Sequence, residues 1–118
     1  ERAGERTPRL RNHVILAGVG RVGSLVAQVL QAQKVPFIGI DLDPMAVARC
    51  RLQGQYALHG DSGNLTVLEV ARVAQARLLL ISTNDAVSTL LTAQHALRLK
   101  IHATAVWPSV VRHKYCNL

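Results

Sequence analysis

Short, almost wholly apolar runs alternate along the chain with segments whose apolar residues recur every three or four positions. The runs at 13–17, 36–41, 56–59, 76–82 and 101–106 predict five strands. The intervening segments at 21–33, 44–53, 64–72 and 86–99 predict four helices. In the first helix Val22, Leu25, Val26, Val29 and Leu30 form one stripe, expected to face the core. In the fourth, Val87, Leu90, Leu91 and Leu97 are expected to point inward. Asp43 stands where a helix cap belongs, with Pro44 at the first helical position and Gly54 at the end. The unbroken apolar core of Ala76–Ser82, Leu78 to Ile81, suits a strand covered on both faces.

Strands separated by helices imply parallel pairing through right-handed crossovers. The expected fold is α/β, a Rossmann-like doubly wound parallel sheet in a single domain, with strand order 3-2-1-4-5. That order places a ligand at the switch point, above the carboxyl ends of the first and fourth strands.

The 118 residues suffice for one core. Residues 1–12 are polar, charged and broken by Gly4 and Pro8, and are expected to be a charged linker or disordered arm. Residues 13–118 form the expected domain, with 109–118 unassigned. No run approaches the roughly 20 apolar residues of a membrane helix, and no signal peptide is expected. The net charge of +7 raises nucleic acid as a partner. Against it stand aromatics at only 3% of the chain, too few for a base-stacking surface, so no nucleic acid is expected. A basic flank near an anionic membrane surface or an acidic partner accounts for the charge instead. Cys50 and Cys116 and the five histidines show no ligand spacing, so no metal is expected.

The chemistry-bearing motif is Gly18-Val-Gly20-Arg-Val-Gly23, set between the first strand and the first helix, with Asp41 at the end of the second strand. Gly18 permits a tight turn, Gly20 lets phosphates approach the backbone, and Gly23 allows the helix to pack closely. The helix start offers unpaired N–H groups to an anion, and Val19 and Val22 lie within the same turn. Arg21 flanks the phosphates or is a solvated helix-start arginine. Asp41 can accept the two ribose hydroxyls and repels a 2′-phosphate; Leu42 follows, with no arginine beside it. NAD(H) or AMP/ATP is therefore expected, and NADP(H) disfavoured. Asp61 and Ser62 fall after the third strand, where an adenine edge would lie, although a loop acid capping a helix looks the same. Thr83 and Asn84 follow the fourth strand and either contact the ligand or cap the fourth helix.

With these residues in place, the chain resembles the N-terminal RCK domain (regulator of potassium conductance) of the Trk/Kef type. The resemblance rests on residues 13–23, Ile40-Asp-Leu-Asp-Pro44, Gly60-Asp61-Ser62 and Leu80-Ile-Ser-Thr-Asn-Asp85. The tail from Trp107 onward departs from it. It implies a cytoplasmic regulatory module at the inner face of the membrane, without catalytic residues, that gates a potassium channel or potassium/proton antiporter. It also implies a homodimer or a larger ring of dimers.

Two other classes stand beside it. One is an NAD-dependent oxidoreductase fragment lacking its catalytic domain. A Tyr-x-x-x-Lys pair is missing, because Gly60 stands four residues after Tyr56 and Tyr115 lies too near the end. The other is an interaction module that has kept the fold and lost the ligand, which the intact glycines and Asp41 argue against.

Overall fold

The computed structural model describes residues 9–83 and 85–105. Five strands, β1 (Val14–Ala17), β2 (Phe37–Asp41), β3 (Ala57–His59), β4 (Leu78–Ile81) and β5 (Ala103–Ala105), form one sheet. Its order is β3-β2-β1-β4-β5, parallel throughout, as expected from the sequence. Four helices connect them: α1 (Arg21–Ala32), α2 (Pro44–Leu52), α3 (Leu65–Val70) and α4 (Ala86–Arg98). A 3-10 turn at Val73–Gln75 leads into β4.

Side chains alternate across a strand, so β1 serves two cores. Val14 and Leu16 point with Phe37 toward α1 and α2, meeting Ala27, Val47 and Cys50. Ile15 and Ala17 point with Ile38, Ile40, Leu79 and Ile81 toward α3 and α4, meeting Leu68, Ala93 and Ala96. The chain thus winds down one face and returns along the other, which leaves the carboxyl ends of β1 and β4 at the reversal.

Each helix begins just after a strand's carboxyl end and returns to the opposite end of the sheet. Asp43 caps α2 by accepting from the Met45 N–H at 3.0 Å. Asn64 accepts from Thr66 N–H at 2.8 Å to cap α3, and Asp85 accepts from Val87 and Ser88 N–H to cap α4. At the other ends, Lys34, Gly54 and Lys100 adopt left-handed backbone at φ 59°, 76° and 58°. Their N–H groups bond back to Gln31, Arg51 and Leu97 carbonyls, closing α1, α2 and α4 with the same turn.

Two helix faces depart from the expectation. In α1 the buried positions are Gly23 and Ala27, with Val26 and Leu30 packed beside them. Val22, Leu25 and Val29 are 43%, 59% and 60% exposed, so the expected stripe is turned by about one position. In α4 the inward residues are Ser88, Thr89, Thr92, Ala93 and Ala96. Val87, Leu90, Leu91 and Leu97 all lie on its exposed side, contrary to the expectation. In α1 the first turn sits against the Gly18 carbonyl, where a Cβ on Gly23 would not fit; in α4 the inward hydroxyls of Ser88 and Thr92 bond to Asp61 and Ser62. The regular elements are also shorter at their ends than the apolar runs; His13, for instance, precedes β1 yet is fully buried.

Candidate functional site

β1 ends in a turn that only glycine fits. Gly18 has φ +109°, and a Cβ there would lie 2.9 Å from the Thr83 backbone nitrogen. The turn is held from both neighbouring strands: Gly18 N–H donates to the Ile40 carbonyl at 2.8 Å, and Ser82 Oγ donates to the Gly18 carbonyl at 2.8 Å. A Cβ on Gly23 would come within 2.0 Å of the Gly18 carbonyl oxygen. Gly23 therefore seats the first turn of α1 on the glycine turn itself. At Gly20, by contrast, an added Cβ would meet nothing within 4 Å. The space above Gly20 is open.

α1 differs from the other three helices at its start. It has no side-chain cap and no acid in its first turn, whereas α2, α3 and α4 are each capped by a side-chain oxygen. Its first N–H groups thus offer donors and the positive end of the helix dipole to an anion. Arg21 and Val22 are on its exposed side.

Asp41 is fixed in advance. Its Oδ2 accepts from Val19 N–H and its Oδ1 from Asp43 N–H, each at 2.9 Å. Each oxygen keeps a further lone pair, so the carboxylate can still accept two hydroxyls. His59 Nε2 donates to the Leu42 carbonyl at 2.9 Å and ties the residue after Asp41 to the end of β3.

Beyond β3, Asp61 Oδ1 accepts from Gly63 N–H at 2.8 Å and faces Ser88 Oγ at 3.0 Å. Ser88 Oγ also faces Asp85 Oδ2 at 2.8 Å, so one hydroxyl proton is shared between two carboxylates. These bonds from the Ser88 side chain and backbone hold the Asp85 carboxyl below its usual value. Thr92 donates its proton to the Ser88 carbonyl at 2.6 Å, so Ser62 donates to Thr92 Oγ1 at 3.1 Å. The loop after β3 is in this way tied to α4 through Ser62, Asp61 and the inward polar face of that helix.

A cleft at the strand carboxyl ends is lined by Gly18, Asp41, Leu42, Asp61, Ser62 and Thr83, six of the residues singled out from the sequence. Ile40 and Gly60, named in the sequence only as members of motifs, and Ser88, which the sequence reading missed, complete it. Ser88 gave no signal, because the apolar spacing of α4 put Val87, Leu90 and Leu91 inward and so turned Ser88 outward. Val19, Gly20, Arg21, Val22 and Gly23 form the adjoining turn and helix start rather than the cleft wall. Asn84 lies outside the described residues. Asp61 does not cap a helix; Asn64 does. A larger cavity, about 260 Å3, opens at the opposite end of the sheet beside Lys34, Gln55 and Tyr56, far from the glycine turn.

The histidines are scattered, and among the described residues no group of three or more potential metal ligands occurs. His13 donates from Nε2 to the Ala71 carbonyl at 2.8 Å, and burial together with the Arg72 charge lowers its pKa. Burial and the Asp41 charge push the Cys50 thiol up, which keeps it protonated and unreactive. Among the described residues no helix is long and apolar enough to cross a membrane.

The chain is 43% identical over 90 residues to the putative K(+) efflux antiporter KefB of Alkalimonas amylolytica, a match covering 76% of this chain and 14% of that protein. It therefore spans about one seventh of that relative's length. The crystal structure of the TrkA-N domain of the inner membrane protein YbaL from Escherichia coli superposes with a TM-score of 0.80 at 25% identity, over 93% of this chain and 83% of that one. The AMP-bound C-terminal domain of Kef from Shewanella denitrificans superposes with a TM-score of 0.69 at 27% identity, over 80% and 57%. With residues 14–116 matching the TrkA-N domain, the glycine turn, Asp41 and the parallel sheet are those of a family member: the chain belongs to the TrkA-N domain family, the RCK domains of the Trk/Kef type.

Proposed function

We propose that this chain is a regulatory domain that binds NAD(H) or an adenine nucleotide and biases a potassium transporter or channel. The carrying observation is the uncapped start of α1 beside the pre-fixed Asp41. Phosphates would take the free N–H groups at Gly20–Val22, with Arg21 within reach of their outer oxygens. Asp41 would take the ribose hydroxyls. The base would lie toward Leu42, Asp61 and Ser62, and Thr83 and Asn84 would meet the far phosphate or second ribose. The AMP held by the Kef relative supports this class of ligand. A 2′-phosphate would face the Asp41 charge, which disfavours NADP(H).

The regulatory reading is also supported by the relatives, which are named as potassium efflux proteins, and by a cleft without an acid–base pair suited to hydride transfer. In this reading residues 1–12 link the domain to a membrane-embedded transporter, on the cytoplasmic side, and the domains work as dimers or rings of dimers. Because Asp61 and Ser62 are tied to α4, a ligand that favours one setting of that loop would bias the position of α4. Thermal unfolding tests the ligand class. AMP or NADH at about 100 times its Kd should add about 2.7 kcal/mol of stability, with no turnover of NADH. Hydride transfer to any carbonyl substrate would overturn the regulatory reading in favour of an oxidoreductase fragment.

A further inference from the structure

Charge is segregated between the two ends of the sheet. Four of the described acids, Asp41, Asp43, Asp61 and Asp85, lie at or just beyond strand carboxyl ends. Arg21 stands at that end too, at the start of α1, and the fifth described acid, Glu69, lies late in α3, but most of the other described cations gather at the opposite end. Arg9 and Arg11 precede β1, Arg77 precedes β4, Lys34 follows α1, and Arg98 and Lys100 end α4; all six are exposed. Backbone bonds place them side by side. Val14 N–H donates to the Pro36 carbonyl at 3.0 Å, Arg77 N–H to the His13 carbonyl at 2.9 Å, and Leu79 N–H to the His102 carbonyl at 2.8 Å. The cations thus follow the adjacent starts of β2, β1, β4 and β5, across roughly 15 Å at strand spacing.

A cation in a helix's last turn complements the helix dipole, and Arg98 needs no other explanation. Lys34 and Lys100 do. Both occupy the left-handed position after a helix, at φ 59° and 58°, where α2 has Gly54 in the same hydrogen-bonded turn. Glycine fits that position without strain and a lysine does not. The local backbone therefore does not account for these two charges. Arg72 is a third cation at such a position, φ 60°, but its Nε donates to the Leu10 carbonyl at 2.7 Å and so has a structural partner.

We infer that the end of the domain where the chain enters β1 is a docking face for an anionic lipid surface. The cations form a broad array over four strand starts, and long flexible lysine and arginine side chains suit a plane of headgroups. Aromatics for stacking on nucleic-acid bases are scarce, at 3% of the chain. The choice of lipid over an acidic polypeptide rests on the proposed function, in which residues 1–12 lead to a membrane-embedded transporter; the face itself rests on this chain alone. Docking there leaves the nucleotide cleft, at the far end, open to solution.

Vesicle co-sedimentation tests this with the full chain, using phosphatidylglycerol and phosphatidylcholine in equal parts against phosphatidylcholine alone. The chain should partition onto the anionic vesicles and release as salt rises. A Lys34→Gly/Lys100→Gly double variant relieves the left-handed strain, so it should fold and raise the urea midpoint. It should also lower partitioning by about tenfold or more, since each cation near such a surface contributes roughly a fivefold factor. Equal partitioning onto both vesicles would overturn the inference. So would unchanged binding of the double variant, which would leave Lys34 and Lys100 without a role at the surface, or tighter binding to polyglutamate than to the vesicles. Nucleotide titration of the same samples reads the other end of the sheet. Lost nucleotide binding with intact lipid binding would therefore count against the proposed function and leave this inference standing.

Discussion

Gly18, Gly20 and Gly23 stand in one turn and meet different neighbours, so their substitutions should separate folding from binding. Gly23→Ala drives a methyl against the Gly18 carbonyl and should cost more than about 2 kcal/mol in urea unfolding. Gly20→Ala meets nothing within 4 Å. Its cost in stability should be small beside that of Gly23→Ala, while AMP affinity falls at least about tenfold because the methyl sits where phosphates approach the α1 amides. These roles were legible in the sequence because glycine spacing between a strand and a helix encodes backbone geometry directly. The pinning of Asp41 by Val19 and Asp43 N–H was not, because a residue type carries no record of hydrogen bonds made across a turn. His13 gives a pH prediction of definite sign. Burial lowers its pKa below the ordinary 6.5, so the unfolded chain takes up a proton more readily than the folded one. The stability this neutral histidine contributes is present above 6.5 and is lost as pH falls below it, toward the folded value. Urea unfolding at pH 7 and pH 5 should show that loss, and His13→Phe should flatten it.

At the scale of elements, strands and sheet order followed from apolar run length and the alternation of strand and helix, which physics constrains tightly for parallel sheets. Helix faces did not follow. The large residues Leu25 and Val29 advertise a core stripe, yet α1 packs through Gly23 and Ala27, and α4 packs through Ser88, Thr92, Ala93 and Ala96. Close approach to the Gly18 backbone selects for small volume in α1, and hydrogen bonds to Asp61 and Ser62 select for hydroxyls in α4, neither of which hydropathy registers. Leu25→Gln and Val29→Gln should therefore shift stability by less than about 0.5 kcal/mol, whereas Ala27→Leu should cost about 1–3 kcal/mol by overpacking, both read by urea unfolding. Asn64→Ala removes the α3 cap and should cost about 1 kcal/mol in the same assay.

For the whole molecule, the doubly wound sheet separates two ends with different tasks. The carboxyl ends of the strands gather the glycine turn, the uncapped α1 and the acids that would read ribose and base. The amino ends gather cations and receive the entering chain. The central claim is that the first of these ends binds an adenine nucleotide with a free 2′-hydroxyl, and calorimetric titration with AMP, ATP, NAD, NADH and NADPH tests it most directly, alongside Asp41→Ala. The account predicts that AMP, ATP or NAD(H) binds more tightly than NADPH, and that Asp41→Ala weakens that binding about tenfold or more, a loss of about 1.4 kcal/mol. No binding by any of the five, or NADPH binding tightest, would contradict it.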